Sequence, residues 1–262
     1  MELPLFPLNT VLCPGIALPL HIFEERYRAL VRHCLETTSP FGIVMIKQGR
    51  EVGSGAVSFT GVGTIAEIRD AGTYDDGRYD LLVVGTRRFE IREVLSGRRP
   101  YLVADVAVLT EDVGDRDLSE RLAMRATRRF VRYLELLQPR DGETAEEIDV
   151  RVEVEAADDD EPGADEMPEN GGGELDDDGG TEGDASPRRR RVTIPDDPTI
   201  LSYLLAGILQ VEPPRRQALL ETATTELRLR ALLRLIDRET FLLERRLRFF
   251  RPDPKVVGSL RS

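Results

Sequence analysis

The chain has 262 residues, 40% of them hydrophobic, and a net charge of −12, which suits one large domain or two small ones with a packed core. No run approaches eighteen apolar residues, and Glu2 stands where a signal peptide carries positive charge, so neither a membrane span nor a secretory leader is expected. We expect a cytoplasmic protein. Its two cysteines, Cys13 and Cys34, are predicted to be buried thiols in preference to a disulfide.

Most of the negative charge lies in one segment. Residues 156–186 contain thirteen acidic residues, seven glycines and no basic residue, and the rest of the chain has a net charge of about +1. This composition cannot bury enough apolar surface to offset the entropy of ordering, so residues 141–192 are predicted to form a largely disordered acidic insertion. Its flanks, residues 150–155 and 188–194, either pair as short strands or belong to the linker. The near-neutral remainder argues against nucleic-acid binding.

Prolines interrupt the apolar start of the chain at positions 4, 7, 14 and 19. Because proline donates no backbone hydrogen bond, the strands here are predicted to be edge strands, bulged strands or strands that begin at the proline. At Phe23 the pattern changes period. An apolar helical stripe follows, formed by Tyr27, Leu30, Val31, Cys34 and Leu35.

Residues 1–110 are predicted to be rich in β-strands. After the first helix, strands are expected at residues 41–47, 55–74, 79–95 and 101–109. Glycines 55, 61 and 63 predict a bulged or bent second strand, and Asp76-Gly77 predicts a hairpin turn. Strands and helices do not alternate, so a small antiparallel barrel or a pair of curled sheets fits better than a parallel βαβ sheet.

Helical patterns dominate the rest of the chain. Asp117 and Glu120 have capping-box spacing, which predicts a helix over residues 117–138. Helices resume within residues 195–252, where Asp197-Pro198 is an N-cap followed by proline at the first helical position. A short helix is expected from Pro213. A long helix is expected from near Thr225 to just before residue 252.

The segment PLHIFEERYR, residues 19–28, closely resembles the hallmark of the stand-alone Lon N-terminal (substrate-binding) domain. Residues 62–68, 76–91 and 195–221 resemble further segments of that family in the same order. The resemblance implies an α+β fold: an N-terminal, β-rich, PUA-like pseudo-barrel with one short helix, followed by an α-helical bundle. The family pattern does not call for the acidic insertion.

The ATPase and protease chemistry of full-length Lon is not expected. The chain lacks a GxxxxGK[ST] loop, and Lys47 and Lys255 are not placed for a serine–lysine dyad. His33 and Cys34 are neighbours on a helix and point about 100° apart, so they do not form a catalytic pair. His21 is expected to hold a turn or a helix cap. We therefore predict no enzyme activity and no catalytic, cofactor-binding or metal-binding residues.

The function predicted from this resemblance is recognition of polypeptides in protein quality control, through an apolar groove between barrel and bundle. Its partners would be unfolded or tagged polypeptides, or a protease or chaperone. No contact residue is predicted, because the two aromatic candidates, Phe23 and Tyr27, are expected in the core. The alternatives are RNA or small-ligand binding by PUA-like analogy, and a peptidase-associated hydrolase. Residues 188–191, all arginine, are expected to be neutralised by the adjacent acidic tract.

Overall fold

The computed structural model of the chain describes residues 1–48, 58–95, 97, 99–137 and 195–249. Within these ranges it contains seven strands and five helices. The strands are β1 (Glu2–Leu8), β2 (Ala17–Ile22), β3 (Phe41–Gln48), β4 (Ser58–Phe59), β5 (Val62–Thr73), β6 (Tyr79–Leu95) and β7 (Leu102–Val108). The helices are α1 (Glu25–Thr37), α2 (Arg116–Leu137), α3 (Pro198–Ile208), α4 (Pro213–Leu220) and α5 (Thr225–Phe249).

Five strands pair in a closed ring. The order is β1-β7-β6-β5-β3, and β3 returns to pair with β1. The predicted strands at residues 41–47, 79–95 and 101–109 are confirmed, with ends shifted by at most one residue. The predicted antiparallel pairing holds for the other strand pairs but fails for β1 and β3, which run parallel. The chain between them crosses over through β2 and α1, the kind of long connection that a parallel pair requires.

Strand β1, which contains Pro4 and Pro7, pairs with β7 along its first half and with β3 along its second half. Residues 2–5 pair with β7 and residues 5–8 pair with β3. Pro4 therefore stands where only β7 pairs, and Pro7 stands where only β3 pairs. Each proline needs hydrogen bonds on one side alone, so the missing N–H is tolerated. Pro19 lies on β2, which pairs only with β6 and is the predicted edge strand.

The hairpin between β5 and β6 forms where the sequence predicts it. Gly77 has φ +78°, a conformation that a glycine adopts without strain, and its N–H donates to the Tyr74 carbonyl. The predicted strand at residues 55–74 is divided into β4 and β5. Two register shifts interrupt the β5–β6 ladder, one of them between Thr64 and Ala66. These shifts are the irregularity that the glycines of this region indicated.

Helix α1 begins later than the apolar pattern suggested. Its N-cap is Glu24, whose backbone is still extended. Tyr27, Leu30, Val31 and Cys34 are buried, as the predicted stripe requires. Leu35 is 41% exposed, because it stands at the edge of the stripe, 100° around the helix from Cys34.

The capping-box prediction for α2 was wrong. The Asp115 carboxylate accepts the Leu118 N–H at 2.9 Å, so the cap lies two residues earlier and Asp117 belongs to the first turn. In α3, the Asp197 side chain accepts the N–H groups of Thr199 and Ile200, as predicted. Helix α5 has 25 residues, a length of about 37 Å.

Three apolar clusters form the core of the described residues. One core occupies the ring of strands and the surface covered by α1 and includes Phe6, Tyr27 and Phe41. A smaller core inside the ring surrounds Phe89. The largest lies among α2, α3, α4 and α5 and reaches Met45 of β3, so helices and strands share apolar contacts.

Both cysteines are buried and free, as predicted. No helix in the described ranges is long and apolar enough to cross a membrane. The acidic segment 156–186, the insertion 141–192 and its flanks lie outside the described residues, as do Lys255 and residues 188–191. The division of the chain into 1–110, 117–138, 141–192 and 195–252 stays a prediction.

Candidate functional site

A groove of about 510 Å³ runs between the strands and helix α4. We call it the β3–α4 groove. Its lining residues come from the β1 end, from β3, from the β4–β5 connection and from α4. They are Asn9, Met45, Ile46, Lys47, Thr60, Pro213, Pro214, Gln217, Ala218 and Glu221. The groove lies where the sequence predicted an apolar surface between barrel and bundle.

The apolar part of the β3–α4 groove comes from both walls. Met45 and Ile46 are nearly buried in β3, and they leave only part of their surface to the groove. Pro213 and Pro214 form the first turn of α4, where proline fits because the first N–H groups of a helix have no partner within it. The two prolines therefore give a rigid apolar wall without hydrogen-bond donors.

Gln217 is a buried polar residue of the groove, at 4% exposure. Its Nε2 donates to the Val62 carbonyl at 3.0 Å and to Glu221 Oε1 at 2.8 Å. The first bond ties α4 to the start of β5. Among the described residues, no donor reaches Gln217 Oε1.

The charges at the groove are few and of opposite sign. Lys47 and Glu221 are both exposed. A nucleic-acid backbone would be attracted by Lys47 but repelled by Glu221. The lining therefore suits a ligand that is mainly apolar with a few polar groups.

A buried polar cluster holds the helices against the strands beside this groove. Glu111 accepts from Arg88 Nε at 2.9 Å, Arg88 Nη2 at 3.1 Å and Arg228 Nη2 at 3.3 Å, and from the Tyr203 hydroxyl at 2.7 Å. Arg88 also donates to the carbonyls of Leu220 and Thr222, at 2.7 and 2.9 Å. We call Arg88, Glu111, Tyr203 and Arg228 the junction cluster.

Burial dominates the electrostatics of the junction cluster. The side chains of Arg88 and Arg228 are 2% and 0% exposed, whereas that of Glu111 is 33% exposed. Burial lowers the pKa of Arg228 and strongly raises the pKa of Tyr203, so the tyrosine stays protonated and donates to Glu111. Arg228 also lies 3.8 Å from the centre of the Tyr203 ring, which adds a cation–π contact. The cluster links β6, α3 and α5.

Helix α4 is also held by a contact with the end of α3. Arg216 donates to the carbonyls of Ala206 and Leu209, both at 3.1 Å. These carbonyls belong to the C-terminal end of α3 and the residue after it, where backbone acceptors lack helical partners. Together with the junction cluster, this contact sets the position of α4 and hence the width of the groove.

Phe23 is not a core residue, which corrects the sequence prediction. It is 52% exposed, whereas Tyr27 is 6% exposed and packs with its ring centre 4.3 Å from that of Phe6. Phe23 precedes the N-cap Glu24, where the backbone is extended. The helical phase that buries Tyr27 therefore does not reach Phe23.

As the sequence predicted, His21 contacts a turn, the one between β5 and β6, where Arg78 Nη1 lies 3.4 Å from its Nε2. Its Nδ1 lies 2.6 Å from Asp80 Oδ1, and the two residues are opposite each other in the β2–β6 ladder. Tyr74 also donates to Asp80. These hydrogen bonds, with that from Tyr74 the larger effect, lower the pKa of the Asp80 carboxyl.

The remaining candidate residues stay apart. The His33 ring stacks on Tyr101 with ring centres 6.3 Å apart, and Cys34 is buried in the apolar stripe of α1. Burial raises the pKa of the thiols of Cys13 and Cys34 to about 11. Lys47 lines the β3–α4 groove. In the described part of the chain, no three His, Cys, Asp or Glu side chains are grouped to hold a metal ion.

Sequence reasoning missed Gln217 and the junction cluster. Arg228 carried a usable signal, because it stands four residues before Leu232 on a helix whose buried face includes Leu229 and Leu232. Gln217 carried none, since one glutamine in a short arginine-rich helix is unremarkable.

Comparisons with known proteins cover most of the chain. Residues 2–238 match the family model described as the ATP-dependent protease La (LON) substrate-binding domain. Lon protease 2 of Myxococcus xanthus is 26% identical over 243 residues, which are 92% of this chain and 24% of that protein. The chain thus spans about a quarter of the length of the curated relatives that it matches first.

Two solved structures share the fold. The Lon N-terminal domain protein from Xanthomonas campestris is 22% identical with a TM-score of 0.52, and the alignment covers 89% of this chain and 97% of that one. The N-terminal domain of Mycobacterium avium complex Lon protease is 17% identical with a TM-score of 0.56, covering 90% and 98%. The strands and helices described above are therefore arranged as in Lon N-terminal domains. By the extent of the family match, this chain belongs to the family of Lon substrate-binding domains.

Proposed function

We propose that this chain is a non-enzymatic polypeptide-binding module that takes exposed apolar segments of unfolded or tagged proteins into the β3–α4 groove. The observation that carries the proposal is the groove itself, which has two apolar walls and a position fixed by the junction cluster. Membership of the substrate-binding family supports it. A role in protein quality control and a cytoplasmic setting are part of the proposal, and the two free thiols support the latter.

The proposal is tested with a permanently unfolded probe, reduced and carboxymethylated α-lactalbumin labelled with fluorescein. Fluorescence anisotropy should show saturable binding, and native α-lactalbumin should not compete. The Ala218→Trp variant should weaken binding at least tenfold, because Ala218 is exposed and lines the groove, so the indole fills the space without disturbing the core.

Met124→Trp is the matched control, since Met124 is 54% exposed on α2 and does not line the groove. It should bind the probe as the wild type does. Equal binding by wild type and Ala218→Trp would place recognition elsewhere and contradict the proposal. Hydrolysis of the probe or of ATP by the purified chain would contradict the non-enzymatic part.

A further inference from the structure

Lys47 is a charge of the β3–α4 groove that the protein itself does not neutralise. Its side chain is exposed and lines the groove. Glu221 lines the groove too, but no ion pair joins the two side chains, and among the described residues the Lys47 ammonium has no other hydrogen-bond or ion-pair partner. A ligand in the groove therefore meets a positive charge that is free to bind it.

The position of Lys47 in β3 directs its side chain towards the helices. Side chains two residues apart in a strand lie on the same face, so Lys47 shares its face with Met45. Met45 packs in the core that includes Leu219 and Leu220 of α4. The Lys47 side chain therefore leaves β3 on the face that α4 covers. Its ammonium, on a flexible four-carbon stem, reaches the groove from the strand wall.

We infer that Lys47 binds a carboxylate of the polypeptide in the β3–α4 groove, so that the groove prefers apolar segments that carry a carboxylate at one end. The inference rests on the proposed function and adds a charge requirement to it. Met45, Pro213 and Pro214 supply apolar surface for the segment, and the Lys47 ammonium pairs with the carboxylate. The carboxylate can come from two sources, the free C-terminus of a chain or an aspartate or glutamate side chain.

Glu221 limits this preference to a single negative charge. Its Oε1 accepts a hydrogen bond from Gln217 Nε2 at 2.8 Å, which holds the carboxylate at the C-terminal end of α4. Lys47 lies on the opposite wall, in β3. One carboxylate can pair with Lys47 alone, whereas a chain of phosphates would also meet Glu221 and be repelled. The groove therefore suits a polypeptide better than a nucleic acid.

The test compares three octapeptides of leucine and valine flanked by glycine. Each carries a neutral BODIPY dye at its N-terminus, so that the label adds no charge. The parent peptide ends in an amide and has no carboxylate. The second peptide ends in a free carboxylate, and the third ends in an amide but has aspartate in place of the last glycine. Fluorescence anisotropy gives the dissociation constant of each peptide.

Each peptide is measured with the wild type, Lys47→Gln, Lys47→Arg and Arg125→Gln. Lys47→Gln removes the charge, and Lys47→Arg keeps it. Arg125→Gln is the matched control, because Arg125 is an exposed cation of α2 that does not line the groove. A thermal melt checks that every variant is folded, and since both positions are exposed, Tm should not change.

We expect the wild type to bind at least one of the two carboxylate peptides about threefold to fivefold more tightly than the parent, the size of one exposed ion pair. The peptide that gains identifies the source of the carboxylate. Lys47→Arg and Arg125→Gln should keep the gain, and Lys47→Gln should lose it. A salt concentration of about 1 M should remove most of it, because the Debye length is then about 3 Å.

Two kinds of result overturn the inference. One is a wild type that binds all three peptides equally. The other is a gain that persists in Lys47→Gln or disappears in Arg125→Gln, because the carboxylate would then be bound somewhere other than Lys47.

The failure of the inference and that of the proposed function can be told apart. If the parent peptide binds and the carboxylate peptides bind no better, the groove takes apolar segments without regard to charge, and only the inference fails. If neither the peptides nor unfolded α-lactalbumin bind, the proposed function fails and the inference fails with it.

Discussion

Glu111 is the residue whose loss should most damage the contact between helices and strands. In Glu111→Leu the Arg88 and Arg228 guanidiniums, 2% and 0% exposed, lose their shared carboxylate. Four hydrogen bonds disappear, three of them from charged donors. Breaking a buried ion pair on one side costs about 3–5 kcal/mol. Glu111 is 33% exposed, so water reaches the site, and we expect the lower end, about 3 kcal/mol.

The assay is urea unfolding followed by circular dichroism, with a thermal melt beside it. A loss of about 3 kcal/mol corresponds to a fall in Tm of about 6–12 °C for a domain of this size. Glu120→Leu is the matched control, because Glu120 is 55% exposed and pairs with Arg116 on the surface of α2 at 3.5 Å. It should change the free energy of unfolding by less than about 1 kcal/mol. Equal effects of the two substitutions would refute the structural role given to the junction cluster.

Two further predictions concern packing and pH. Gly63→Ala should destabilise the chain by about 1–3 kcal/mol in urea unfolding, because the new Cβ would lie 2.4 Å from a backbone carbonyl of β3. Gly61→Ala, with nothing within 4 Å of its Cβ, should be near neutral, and equal losses would disprove the packing argument. For the thiols, stability should fall as the pH rises from about 9 to about 11. In that window the thiols of the unfolded chain ionise, while burial keeps Cys13 and Cys34 protonated in the folded chain. The free energy of unfolding of a Cys13→Ala/Cys34→Ala variant, measured across this pH range, should therefore decrease less steeply than that of the wild type.

Local signals in the sequence predict the elements of this fold well. The β5–β6 hairpin follows from Asp76-Gly77 and two strand patterns, and α3 follows from Asp197-Pro198. In both cases the physical cause, a glycine turn or a side-chain cap, lies within a few residues of the element. The parallel pairing of β1 with β3 has no such local cause, because a strand pattern does not say which strand is its neighbour.

The groove and the junction cluster could not be predicted for a related reason. A register shift lies in the ladder just before Arg88, and both Arg88 and Phe89 are buried, which breaks the alternation that a strand normally shows. Phe89 enters the smaller core while Arg88 meets residues from distant helices. The burial predicted for Phe23 is wrong for a different reason. Phe23 lies one residue before the N-cap, where the helical period does not apply. Contacts between residues far apart in sequence decide the groove and the junction cluster, whereas the position of a helix start decides Phe23.

The most direct test of polypeptide binding in the β3–α4 groove is methionine-methyl NMR. The chain has four methionines, so ε-¹³C labelling gives a simple spectrum. Met45 lines the groove, whereas Met1 and Met124 are exposed and do not line it. Titration with an end-capped octapeptide of leucine and valine flanked by glycine should shift the Met45 methyl signal saturably and leave those of Met1 and Met124 unchanged. An unmoved Met45 signal at saturating peptide, or a larger shift at Met124, would contradict the assignment of the groove.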